Sequence, residues 1–136
     1  MLRIRLFALL LAAGACACGA ASPTRAEPIV LDAEVTLAPG GAALVRDKDV
    51  EVVFVGVTED SRCPTDVQCV WAGEVKARLS VRRGAGDATA YEVREGEGAV
   101  QSGYKVTLVR VKPYPVSARK IAAEDYRATL KVTAER

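Results

Sequence analysis

Apolar and polar residues alternate with a period of two along most of this chain. Between residues 29 and 37, Ile29, Leu31, Ala33, Val35 and Leu37 fall on one side, and Val30, Asp32, Glu34 and Thr36 on the other. Nine residues at that period predict one half-buried strand. Ala38-Pro39-Gly40-Gly41 follows as a turn, because Pro fixes φ and Gly permits positive φ. Residues 42–45 predict a short second strand that ends at the polar Arg46-Asp47-Lys48-Asp49. Residues 50–57 carry Val50, Val52, Val53, Phe54, Val55 and Val57. Both faces of that run read as apolar, so a central strand of a sheet is expected.

Residues 74–82 alternate strictly, with Val75, Ala77, Leu79 and Val81 facing inward and Glu74, Lys76, Arg78, Ser80 and Arg82 facing water. Gly84-Ala85-Gly86-Asp87 predicts a hairpin turn, and Thr89, Tyr91 and Val93 mark the inward face of the next strand. Glu95-Gly96-Glu97-Gly98 reads as a polar loop, and no strand signal appears before Gly103. Residues 104–111 predict another strand with Val106, Leu108, Val109 and Val111 in the core. Two prolines in Lys112-Pro113-Tyr114-Pro115 stop it by denying two ladder donors, and Tyr114–Pro115 is the candidate cis bond. Residues 117–125 form a connection with room for one helical turn. Tyr126, Ala128, Leu130 and Val132 then alternate with charged and hydroxylated residues as the last strand.

Seven strands separated by turns, with no long amphipathic helix, predict an all-β fold. The expected architecture is an antiparallel two-sheet sandwich of immunoglobulin-like type, with a small β-barrel as the alternative. A chain of 136 residues fits one domain.

The first 26 residues stand apart. A short basic stretch with Arg3 and Arg5 precedes an apolar run from Leu6 to Ala13 and then small residues. This is the pattern of an export signal, and the run is too short for a membrane span. Two processing points compete. Thr24-Arg25-Ala26 before Glu27 suits an ordinary signal peptidase. Ala13-Gly14-Ala15-Cys16 resembles a bacterial lipobox without its usual leucine, which makes Cys16 the lipidation candidate and Cys18 the alternative. The expected product is a single β-domain over residues 27–136, held as a periplasmic or cell-envelope lipoprotein or else secreted and soluble. Membrane attachment is expected through a lipid anchor only.

Removing residues 1–26 changes the charge. Residues 27–136 hold 16 Lys and Arg against 17 Asp and Glu. The basic excess of the whole chain belongs to the signal, so no nucleic-acid partner is expected.

Everything chemically unusual sits in residues 59–74. Cys63 and Cys69 are the two cysteines outside the signal, and Trp71 is the single tryptophan. In an exported protein the expected state of Cys63 and Cys69 is a structural disulfide. Their spacing is not the C-x-x-C that lowers a thiol pKa. No metal site and no cofactor are predicted, since the chain has no histidine and two cysteines cannot fill a zinc site. Enzyme chemistry is not expected either, because an ordinary Ser–His or Cys–His base is missing. Asp60, Arg62, Trp71 and Glu74 form the candidate binding loop. Trp71 either plugs the core beneath the disulfide or stands out as an anchor, and Arg62 either presents its charge to a partner or pairs with Asp60 or Glu74.

The Asp60-Ser61-Arg62-Cys63-Pro64 run with the Cys69-Val70-Trp71-Ala72-Gly73 run resembles a group of small exported bacterial proteins and lipoproteins of unknown function. Pro113-Tyr114-Pro115 and Asp125-Tyr126 extend the resemblance along residues 27–136. It implies an exported β-domain with a disulfide and carries no activity. The functional expectation is a non-enzymatic module that binds a protein or an envelope ligand through the loop at residues 60–71. A secreted protease inhibitor presenting the tied loop is the alternative, and a small redox or metal protein stands behind it.

Overall fold

A computed structural model of the chain describes residues 25–136. The expected signal segment, with Cys16 and Cys18, lies outside the described residues. Nine strands follow one another: β1 (Glu27–Ile29), β2 (Glu34–Leu37), β3 (Ala42–Val45), β4 (Val50–Asp60), β5 (Val75–Arg83), β6 (Thr89–Arg94), β7 (Gly98–Gln101), β8 (Tyr104–Lys112) and β9 (Arg127–Ala134). They form two sheets, β1-β3-β4-β5-β6 and β2-β9-β8-β7. Every pairing is antiparallel except β1 with β3. The sheets do not close into a barrel, so the architecture is the two-layer sandwich.

The period-two pattern generates the core directly. Val75, Ala77, Leu79 and Val81 of β5 are buried, as are Tyr126 and Ala128, Leu130 and Val132 of the β9 region. Phe54, Leu79, Leu108 and Leu130 are the largest fully buried side chains, each contributing about 1.5–3 kcal/mol by leaving water. Thr129 is buried beside them and shares a 2.9 Å hydroxyl hydrogen bond with Thr36 across the β2–β9 pair.

Several expectations are corrected. The strand read over residues 29–37 is two strands in different sheets. Asp32 takes a positive φ of 66°, a conformation Asp tolerates better than most residues, and the chain crosses there from one layer to the other. Strand β7 occupies part of the stretch read as loop. Residues 50–57 are not buried on both faces: Val53 is half-buried and Val55 is 48% exposed. The expected central position does hold, since β4 is the third of five strands. Val109 is half-buried rather than a core residue. The β8–β9 register shifts between Leu108 and Arg110, so Val109 is the extra residue of a bulge and Val111 returns to the core. Thr89 is exposed rather than inward. The cis peptide is Lys112–Pro113 rather than Tyr114–Pro115. The helical turn expected before the last strand is a 3-10 turn at Ala123–Asp125.

Candidate functional site: a braced hairpin with an apolar tip

Strands β4 and β5 are the two legs of a hairpin whose pairing continues beyond them. Ser61 N–H donates to the Glu74 carbonyl at 2.8 Å and Cys63 N–H to the Ala72 carbonyl at 2.9 Å. The Ser61 hydroxyl donates to the same Glu74 carbonyl at 3.1 Å and accepts from Glu74 N–H at 3.2 Å. Gly73 sits in this extension at φ 70°, where a Cβ would lie 1.8 Å from the Ser61 carbonyl oxygen. Only glycine lets the two legs approach so closely. The Cys63–Cys69 disulfide then closes the end of the hairpin, with the Cα atoms 5.8 Å apart.

The base of the extension is fastened by Arg62. Its Nε donates to Asp60 Oδ1 at 2.8 Å and its Nη2 to Asp60 Oδ2 at 2.6 Å. Nη1 donates to the Val111 carbonyl at 2.8 Å, and Nη2 also reaches the Pro113 carbonyl at 3.0 Å. The guanidinium lies 4.8 Å from the centre of the Tyr114 ring. Arg62 is 9% exposed, so a full set of partners is what makes its burial tolerable. Tyr126 completes the cluster by donating its hydroxyl to Asp60 Oδ2 at 3.0 Å. Glu95 supports it from below, its carboxylate accepting Val111 N–H at 2.8 Å. The hairpin of one sheet is thereby tied to β8 and β9 of the other.

Opposing influences set the charges here. Burial pushes the Asp60 carboxyl up, but hydrogen bonds and charge from Arg62, with help from Tyr126, outweigh it and hold the group below its usual value. Burial works against the Arg62 charge, and Asp60 more than restores it. Burial and then the Asp60 hydrogen bond and charge push the Tyr126 phenol up to about 12. At neutral pH the cluster is a carboxylate, a guanidinium and a neutral phenol in mutual contact, which is the chemistry of a fastener.

A second attachment holds the tied loop itself. Ser117 N–H donates to Asp66 Oδ1 at 2.9 Å, the Ser117 hydroxyl donates to Asp66 Oδ2, and Thr65 N–H donates to the Pro115 carbonyl at 3.1 Å. The Ser117 bonds hold the Asp66 carboxyl below its usual value.

The four candidate loop residues therefore divide. Asp60 and Arg62 are paired at the base. Glu74 is engaged on both sides, by Lys76 at 3.1 Å and Arg94 at 3.0 Å. Trp71 alone faces outward. It is 66% exposed, so it is no core plug; its chain neighbour Val70 is wholly exposed, and Val67 of the same loop is exposed as well. No charged residue occurs between Val67 and Gly73. Among the described residues no three His, Cys, Asp or Glu side chains gather as a metal-ligand set. Sequence reasoning left Tyr126 out of this region and, within the 60–71 loop it proposed, did not single out Val67 and Val70. Asp60 and Arg62 are two apart, and in an extended chain such residues share a face; that spacing was the available signal for their pairing. No family model, curated protein or solved structure matches the chain.

Proposed function

We propose that this protein is an exported, non-enzymatic binding module whose hairpin tip, Val67, Val70 and Trp71, docks into an apolar recess of a protein partner. The observation that carries the reading is the exposure of Trp71 together with Val70 on a support fixed by a disulfide, two sets of hydrogen bonds and a buried ion pair. Apolar side chains held out in water, with nothing local to cover them, mark interaction sites. A tip ordered before binding loses little conformational entropy when it docks. Tryptophan is also among the residues that dominate interface energies. The Cys63–Cys69 bond supports export, since oxidising compartments preserve such bonds.

Alanine at Val70 and Trp71, introduced together, tests the reading in a crosslinking and capture experiment on the exported protein in its own cells. The expected result is the loss of the captured partner with the melting midpoint unchanged. Undiminished capture by the folded double variant refutes it.

A further inference from the structure

We propose that the open half of β4 is a second docking groove, separate from the hairpin tip, that takes an extended acidic peptide of a partner protein. β3 pairs with β4 only over Val50 to Val53. Phe54 ends that ladder through bonds with Gly40 and Gly41, at 2.7 and 2.9 Å. The chain reaches this point from β2 in the other sheet, so β3 extends no further along β4. β4 itself runs on to Asp60 with β5 as its one remaining neighbour. Alternate residues of an antiparallel strand turn their backbone N–H and C=O to the same side, so a strand with one neighbour leaves half of these groups free.

A cleft of about 350 Å³ lies against Val57 to Asp60, and a second of about 460 Å³ lies over Val55 to Thr58 and reaches Arg78 of β5; the two share Val57 and Thr58. Through these shared residues the first cleft, walled by β4 and the segment that carries Arg119, Lys120 and Ile121, adjoins the second. Val55 to Asp60 spans about 20 Å when extended, room for a peptide of about six residues. Val55, Val57 and Ile121 supply apolar contact for alternate side chains. The register shifts at Phe54/Gly56 and Val57/Glu59 interrupt a regular ladder and discourage indiscriminate edge pairing. Side chains must then carry much of the selection, as they do in strand-addition sites generally.

The charges choose the sign of the occupant. Glu59 is held by Lys76 at 2.9 Å and Asp60 by Arg62. Arg78, Arg119 and Lys120 line the groove, and among the described residues none of them has a carboxylate within ion-pair distance. Glu124 is the one carboxylate of the walls left uncommitted. Three free cations against one free carboxylate favour carboxylates on the incoming chain, and complementary charge of this kind sets specificity.

Fluorescence anisotropy with the full chain and two labelled hexapeptides tests the proposal. One peptide alternates valine with glutamate, the other valine with lysine. The glutamate peptide is expected to bind at least about tenfold more tightly than the lysine peptide, with affinity falling as salt rises. The Arg119→Glu/Lys120→Glu variant is expected to lose about tenfold in affinity, while Lys48→Glu, in the 3-10 turn after β3, is expected to lose little. Should the double variant fail to fold, Arg78→Glu at the other end of the groove takes its place. Equal binding of the two peptides overturns the proposal. So does an equal loss in Lys48→Glu, which would report net charge alone. A dimer in sedimentation that the charge reversals dissolve would assign the groove to a second copy of the chain and overturn it as well.

Discussion

Arg62 grips Asp60 with both arms of its guanidinium fork, at 2.8 and 2.6 Å, with the two side chains only 7% and 10% exposed. The pair joins the end of β4 to the end of β8, because the same guanidinium satisfies the carbonyls of Val111 and Pro113. Removing one partner of a buried pair leaves the other charged and unmatched, at a cost of about 3–5 kcal/mol. Arg62→Met is therefore expected to lose that much stability in urea unfolding. Arg62→Lys recovers little of it, since an ammonium cannot reproduce the fork. Asp60→Leu/Arg62→Met removes both charges and is expected to lose less than the sum of the single losses. Additive losses in this cycle would show that the pair is uncoupled.

The same pair fixes an acid limb of stability. Asp60 is held below its ordinary value of 3.8, so the folded state binds its proton less readily than the unfolded chain does. Its contribution is complete above pH 3.8 and is lost as pH falls through the lower folded value. In Arg62→Met the counter-charge is gone, and burial acts on Asp60 against only the Tyr126 hydroxyl and the residue-62 amide, so the carboxyl is no longer held as low. The stability gap between the wild type and Arg62→Met is expected to narrow as pH drops below 3.8. A gap independent of pH in that range contradicts the assignment.

Tyr126 fixes the opposite limb. Its phenol titrates near 12 rather than 10 because it is buried and donates to the Asp60 carboxylate. A raised value means the folded state holds the proton more tightly. The benefit is complete below pH 10 and disappears as pH rises through 12. Tyr126→Phe is expected to cost about 1–2 kcal/mol at neutral pH and to be free of this loss. The difference between the two proteins should shrink from pH 10 upward, and a difference that holds constant rules the hydrogen bond out as its source.

Most strands were legible because each needs only a period of two and a turn to end it; β7 was not, because its four residues, Gly98 to Gln101, follow a Gly- and Glu-rich turn and show no alternation. The core positions of β5 and of Tyr126, Ala128, Leu130 and Val132 follow from alternation alone. What escaped depends on which layer a strand joins. The alternation over residues 29–37 is continuous, yet Asp32 adopts a positive φ and moves the chain between sheets, and period carries no sign of that. The bulge at Val109 likewise lets two apolar neighbours differ in burial. Within the candidate site, the disulfide was legible from two cysteines. The environments of Arg62 and Trp71 were not, because residues nine apart in one loop differ in burial through the bonds that Arg62 makes to the Val111 and Pro113 carbonyls, about fifty residues away in the chain.

Trp71 supplies its own reporter, since it is the single tryptophan of the protein. At 66% exposure its emission in the folded state is expected to be water-like, and a neutral quencher should reach it nearly as well as in the unfolded chain. Trp71→Ala is expected to change stability by less than about 0.5 kcal/mol, as exposed substitutions usually do. A blue-shifted, protected emission, or a large loss of stability in the variant, would return Trp71 to the core. The same emission should shift to the blue when an apolar recess closes over the tip.

Gly73 is expected to be the least replaceable residue of the hairpin. At φ 70° a side chain is already disfavoured, and a Cβ would stand 1.8 Å from the Ser61 carbonyl oxygen and 2.5 Å from its carbon. Those are backbone atoms on the facing leg, so no rotamer change relieves the contact. Gly73→Ala must separate the legs at the level where Ser61 and Glu74 exchange three hydrogen bonds. Left-handed backbone strain contributes about 1–3 kcal/mol, and each weakened bond adds about 1 kcal/mol. A loss of about 3 kcal/mol or more is therefore expected in urea unfolding. Gly86→Ala in the β5–β6 turn is the control. Its φ is not in the left-handed region, and its nearest contact is the Arg83 carbonyl at 3.1 Å, so its loss should be smaller. Hydrogen exchange locates the damage: amides of Ser61, Cys63 and Glu74 should exchange faster in Gly73→Ala while those of β8 and β9 keep their protection. Equal losses in the two variants would mean that the close approach of the legs does not stabilise the hairpin.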